Sequence, residues 1–332
     1  MNDLSARETA RVLLSPLPLG RGDRQVFLPC RLIPGPMESV TAGAWLSQLT
    51  AQGWVKCWWT PFLRISTGVP RPARRKEWLR PFLETGLPVV AQLMGTDEEL
   101  LGEAAAGLCQ AGALAVDLNC ACPSPAVVGN RSGGYCLRKP EWIAGTLQAM
   151  RRATAPWRRP VGVKVRTGWH SPKEFAAAIA PMLRLASPDF VTVHFRTVEE
   201  LYRPVKDGLE RLAEAREELA GMTLIGSGDL FEPGDIFAMV GRCGVDAVAP
   251  ARGLLRNPRL LAETAALLEG GAALPAFGGD EAEAFLDGCR RDGAPRGFIL
   301  QMAANIYGKG SPEFRRCVDD GKTAVQRRFR QA

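Results

Sequence analysis

Histidine is nearly absent from this chain, which has only His170 and His194. Structural zinc sites draw on imidazoles or on CxxC thiolate pairs, and none of the nine cysteines has CxxC spacing. Cys120 and Cys122, followed by Cys136, therefore do not make a zinc or iron–sulfur centre, and no metal is expected. No run reaches the roughly 18 apolar residues of a membrane span, and the first residues lack the basic head and apolar stretch of a secretory leader. A cytoplasmic protein with no membrane contact is expected. An odd cysteine count, spread from Cys30 to Cys317, suits reduced thiols better than a disulfide framework. Most of these thiols read as small buried hydrophobes.

At 332 residues, 46% hydrophobic and 23% charged, the chain can bury a large core and carry an appendage. Eight apolar segments recur along it: FLPCRLIPGPM, VKCWWTPF, LPVVAQLMG, ALAVDLNC, PVGVKVRTG, PDFVTVHFRT, MTLIGSGD and GVDAVAPARG. Helical stretches separate them, such as DEELLGEAAAGLCQAG, where Asp97 is placed to cap and acids fill the first turn. Strands alternating with helices imply βαβ units and a parallel sheet, and eight units imply a closed (β/α)8 TIM barrel. A doubly wound sheet is the competing architecture. The barrel is expected over residues 1–268, a Gly/Pro/Ala linker over 269–279, and a small helical domain over 280–332.

In such a barrel the loops after the strands build the site. Polar residues at the strand ends are Glu38, Gln92, Asn119, Lys164, Arg166, His194, Arg196, Asp229 and Arg252. A polar strand end often does no more than cap a helix, but this set favours a planar heterocycle carrying a phosphate. GSGD at 226–229 and ARG at 251–253 offer backbone N–H groups at strand-to-helix turns, where barrels bind phosphate.

The motifs resemble those of the bacterial tRNA-dihydrouridine synthase family. GPMESV at 35–40, AQLMG at 91–95, DLNCACPSPAVV at 117–128, VKVRTGW at 163–169, VHFRT at 193–197, IGSGDLF at 225–231 and ARGLLRNP at 251–258 occur in the family's order. The NCACPS loop, LYR at 201–203 and the tail GFILQMAANIYGKG are most similar to the C-type subgroup, which acts on uridine-16 of the D-loop. The resemblance implies an FMN cofactor, NADPH as reductant, tRNA as partner, and a monomer is expected. Reduction of the uracil 5,6 bond needs a hydride on C6 and a proton on C5 from opposite faces, so an acid must face the flavin across the base. Cys122 occupies the family's proton-donor position. By position, the resemblance also implies that Pro36, Met37, Glu38, Gln92, Lys164 and His194 contact the flavin ring. It implies that Arg196, Ser227, Gly228, Asp229, Ala251 and Arg252 hold its phosphate, and that Asn119, Arg166 and Tyr202 bind the extruded uracil. A lone strand histidine such as His194 is otherwise more often structural.

The chain departs from the family pattern at Ala121, Phe195, Ser227 and Ala251, where the family has glycine, glycine, asparagine and glycine. Phe195 adds the most bulk; it either narrows the pocket or is absorbed. Basic residues cluster twice: Arg64, Arg71, Arg74, Arg75, Lys76 and Arg80 against Glu77, and Arg315, Arg316, Lys322, Arg327, Arg328 and Arg330 against Asp319 and Asp320. These suit a phosphate track. Trp58, Trp59 and Trp78 read either as core or as stacking platforms. Two other classes stay open: a flavin barrel acting on a small molecule, and a divergent paralogue that binds another RNA or lacks catalysis.

Overall fold

The structure, a computed structural model, describes residues 3–319. Strands covered on both faces read as apolar runs, and seven such runs form one parallel sheet in chain order. They are β3 (Trp58–Arg64), β4 (Val89–Met94), β5 (Ala115–Cys120), β6 (Val161–Arg166), β7 (Phe190–His194), β8 (Leu224–Ser227) and β9 (Ala247–Val248). The order never reverses, which excludes the doubly wound alternative. Before them, β1 (Leu17–Leu19) and β2 (Val26–Leu28) make an antiparallel pair.

The first apolar segment behaves differently from the other seven. Its start forms β2, and residues 31–35 fill the eighth barrel position without becoming a regular strand. Leu32 bridges Val248 in parallel. The Ile33 N–H donates to Val248 O at 3.0 Å, and the Gly35 N–H to Pro250 O at 2.8 Å. Pro34 and Pro36 have no N–H to give a ladder, so the pairing stays one-sided.

Leu17, Leu19 and Leu28 of the hairpin close the floor of the barrel against Trp59, Val90, Ala115, Phe190, Ile225 and Ala247, all near the starts of their strands. Trp58 and Trp59 are core residues, and Trp59 meets Phe190 edge-on at 5.4 Å. Trp78 is half-buried, 6.3 Å from Phe82. Helix Glu98–Ala111 begins as its sequence predicts, with the Asp97 carboxylate accepting from the Leu100 N–H at 2.9 Å, and Gly112 ends it at φ 115°.

The C-terminal helices Gly279–Arg291 and Arg296–Ile306 share the barrel's core. Trp45, on helix Ala44–Ala51, contacts Phe285 at 6.1 Å and Phe298 at 6.4 Å, and Arg259 pairs with Glu281. Of the first basic cluster, Arg64, Arg71, Arg74, Lys76 and Arg80 are exposed. Arg75 is not: it is buried, lies against Gly107 and donates to Pro70 O at 2.8 Å. In the second cluster Arg315 and Arg316 are exposed, while Lys322, Arg327, Arg328 and Arg330 lie outside the described residues. No described helix is long and apolar enough to cross a membrane.

The barrel floor gives a direct packing test. A Cβ on Gly162 would fall 1.9 Å from Phe190 Cε2, and Phe190 is enclosed on all sides. Gly162→Ala is therefore expected to destabilise by about 1–3 kcal/mol, the usual cost of overpacking, read as a lower urea midpoint. An unchanged midpoint would contradict this packing.

Candidate active site

Parallel register sets the site's height in the barrel. It places Asn119 beside Lys164, Arg166 beside His194, and His194 beside Ser227, so inward-facing residues of four neighbouring strands meet at the C-terminal end. A cavity of about 390 Å³ opens there. Pro36, Met37 and Glu38 line it from the segment after the eighth barrel position, Gln92 from β4 and Asn119 from β5. Cys122 lines it from the loop that follows, Lys164 and Arg166 from β6, and His194 from β7. Tyr202, Ser227, Gly228, Ala251 and Arg252 complete the predicted part of the wall.

Arg196 and Asp229 are not in that wall. The Arg196 side chain is buried behind it and donates to both Asp229 oxygens, at 2.9 and 2.5 Å, and to Arg203 O at 2.6 Å. Asp229 also accepts from Arg252 Nη2 at 2.6 Å. The guanidinium expected at the phosphate thus braces the carboxylate that holds Arg252, and Arg252 is the one that reaches the cavity.

Phe195 is also absorbed outside the cavity. Successive side chains on a strand face opposite sides, so His194 faces in and the Phe195 ring packs outward against two glycines. A Cβ on Gly228 would come within 1.9 Å of Phe195, and one on Gly208 within 2.9 Å. Ala121 and Ala251 add a methyl each to the cavity wall, and Ser227 Oγ donates to Ala249 O at 3.2 Å.

Arg166 organises the mouth. Its Nε donates to Ala121 O at 2.8 Å, and its Nη1 to Thr197 O at 2.9 Å and Leu201 O at 3.0 Å. Leu201 is held at φ 52°, in the left-handed region. Tyr202 follows, 56% exposed, with the Arg166 and Arg252 guanidinium carbons 6.0 and 5.0 Å from its ring centre. The half-buried Cys122 sits on a loop whose Ala121 and Cys122 N–H groups both donate to Asn119 Oδ1 at 3.0 Å. Cys120 and Cys136 are buried and packed in the core.

The electrostatics follow from crowding cations where water is scarce. Burial, then Arg166, lowers Lys164 to about 8. Burial foremost brings Arg166 down to about 10. Burial, then the charges of Arg166, Lys164, Arg196 and Arg252, pushes His194 well below its ordinary value, so its imidazole is neutral at pH 7. His194 Nδ1 accepts from the Arg196 N–H at 3.2 Å, which leaves Nε2–H as an uncharged donor. Glu38 is the cavity's carboxylate, raised by burial against the pull of Arg64. The wall suits an anionic ligand with hydrogen-bonding groups.

Phe62, Ser124, Leu255 and Gln301 also line the cavity and were not expected. Phe62 is an apolar strand residue that a search for polar strand ends passes over. Gln301 arrives from helix Arg296–Ile306, and nothing in its local sequence marks it.

Comparison with known proteins finds the same kind of barrel and a family for the chain. The family model described as dihydrouridine synthase (Dus) matches residues 34–286, and the chain belongs to that family. It is 33% identical over 237 residues to the tRNA-dihydrouridine(16) synthase of Yersinia pestis, covering 69% of this chain and 74% of that one. The protein of the same name from Haemophilus influenzae is 35% identical over 54% of this chain and 57% of its own length. For the Escherichia coli protein the figures are 36%, 53% and 55%. The alignments to these last two relatives thus span little more than half of their length. Among solved structures, the fold is similar to that of TcOYE with pHBA, at 13% identity and TM-score 0.57 over 76% of this chain and 92% of that one. It is also similar to a 2-naphthoyl-CoA reductase complex, at 11% identity and TM-score 0.58 over 79% and 53%.

Lys164 generates a pH test. Its folded pKa, about 8, lies below its ordinary 10.5, so the unfolded chain holds more protons between those values. Stability of the ligand-free protein should therefore rise with pH across that window, the burial cost being fully present below it. Lys164→Met should stabilise the ligand-free protein at pH 7, and the gain should fade by pH 10. A gain that is absent at pH 7 or constant with pH would show that the ammonium is not desolvated.

Proposed function

We propose that the chain is an FMN-dependent, NADPH-consuming reductase of a tRNA uridine, at position 16 of the D-loop, yielding 5,6-dihydrouridine. The observation that carries this reading is the placement of the Cys122 thiol in the same cavity wall as Lys164, His194, Arg166 and Arg252. Family membership and the names of the relatives support it.

The residues present fit a flavin. One cavity wall brings together an arginine, an ammonium, an imidazole and an amide, from Arg252, Lys164, His194 and Gln92. Arg252, braced by the Asp229–Arg196 pair, would anchor the phosphate together with Ser227, Gly228 and Ala251. Gln92, Pro36, Met37 and Glu38 would lie along the ring. Lys164 and the His194 Nε2–H would meet the pyrimidine edge, where an ammonium and a neutral donor stabilise negative charge. Bound and reduced, FMN supplies the hydride to the base.

The chain itself would do the rest. Asn119 and Arg166 would orient the extruded uracil and Tyr202 would stack on it at the mouth. Cys122 Sγ–H would deliver the proton to C5. The barrel, residues 1–268, would carry the chemistry. The helices from 280 onward, with the exposed Arg71, Lys76 and Arg315, would choose the uridine by docking the folded RNA, since uracil is the same at every position.

The Cys122→Ala protein should bind FMN and reduce it with NADPH at nearly the normal rate, while dihydrouridine formation in single turnover falls by roughly two to four orders of magnitude, the range for loss of a general acid. Undiminished product formation would remove Cys122 from the mechanism.

A further inference from the structure

Asp117 lies one inward-facing position below Asn119 on β5 and is fully buried. Its Oδ2 accepts from Trp59 Nε1 at 2.9 Å and from Gln92 Nε2 at 2.7 Å. The other end of that amide, Gln92 Oε1, accepts from Asn119 Nδ2 at 2.8 Å. Asn119 is left with its oxygen, which takes the N–H groups of Ala121 and Cys122. A side-chain amide has one accepting and one donating end. The series therefore runs in one sense between two fixed ends, the acceptor at Asp117 and the loop N–H donors of Ala121 and Cys122. Reversing Gln92 would set its oxygen against the carboxylate and its NH₂ against the NH₂ of Asn119, two mismatches in a buried site.

We infer that Asp117 is a positioning residue: as an obligatory acceptor beneath the cavity, it anchors the Gln92 amide and, through the bond from Asn119 to Gln92, steadies the loop that carries Cys122. Asp117 Oδ1 is buried with no partner among the described residues, and burial raises the carboxyl to about 6. A proton on Oδ1 leaves Oδ2 accepting, so the series survives titration. Lys164 on β6 and Cys120 on β5 are the ionisable neighbours that interact with it. Asparagine reproduces the protonated acid in shape and in acceptor, whereas leucine does not.

The test uses the flavin-free full chain and measures alkylation of each cysteine by iodoacetamide, with peptide mass spectrometry as readout and the remote, half-buried Cys317 as internal control. Asp117→Leu should speed alkylation of Cys122 by roughly fivefold, the change in local opening that loss of about one hydrogen bond's net contribution supports, with Cys317 unchanged. Asp117→Asn should stay within about twofold of the parent protein, since it keeps the bond. Should the leucine variant fail to fold, Gln92→Met removes the middle amide and must accelerate Cys122 in the same way. A Cys122 rate that stays at the parent value in both Asp117→Leu and Gln92→Met overturns the inference, as does an asparagine variant as fast as the leucine one. Where the inference rests on the reductase reading, Asp117→Leu should lower kcat for tRNA by about 10- to 100-fold with KM little changed, as expected for a misplaced reacting group. Absence of product from the parent protein would refute the reductase reading, while the alkylation rates would still decide the role of Asp117.

Discussion

Mutual repulsion among Lys164, Arg166, Arg196 and Arg252, confined to one rim of a barrel where water is scarce, is the constraint to which the rest of the site responds. Like charges a few ångströms apart in low dielectric cost several kcal/mol unless something answers them. The answers are all visible. Asp229 is shared between Arg196 and Arg252. Arg166 directs its Nε and Nη1 donors at the carbonyls of Ala121, Thr197 and Leu201. Asp117 pulls against the loss of the Lys164 proton, and His194 gives up its own charge. What stays unanswered at the mouth is the attraction for an anion, the property a flavin phosphate and an RNA strand would both exploit.

The cost of that rim is borne at the other end of the barrel. Trp59 and Phe190 meet edge-on over Gly162, and the β1–β2 hairpin seals the floor with leucines. Trp59 also donates to Asp117, so the apolar floor and the polar rim join at one side chain. Stability is gathered where nothing reacts and spent where polar groups must stay exposed to a ligand, the usual division in a barrel.

Much of this was legible in the sequence. Alternating apolar and helical segments announce the barrel, and Asp97 announces its helix. Most of the motif residues converge on one cavity because strand periodicity and parallel register are local properties that repeat around the ring. Side-chain partners are different. That Arg196 pairs behind the wall depends on Asp229, 33 residues away, and that Arg75 is buried depends on Gly107 of another helix. Sequence leaves the effect of Phe195 open between narrowing the pocket and being absorbed, because it shows the bulk but not the glycines at 208 and 228 that make room for it. Asp117 stood unremarked inside its own motif although its spacing from Asn119 already put both on one face. Gln301 and Leu255 come from helices whose packing over the mouth no local pattern encodes.

The central claim is that this positively charged barrel reduces a uridine in tRNA. It is met most directly by incubating the purified protein with FMN, NADPH and an unmodified tRNA transcript and mapping dihydrouridine along the product by mass spectrometry. The account predicts conversion at uridine-16 and no other position. Protein that binds and reduces FMN but leaves every uridine of the transcript intact would contradict it.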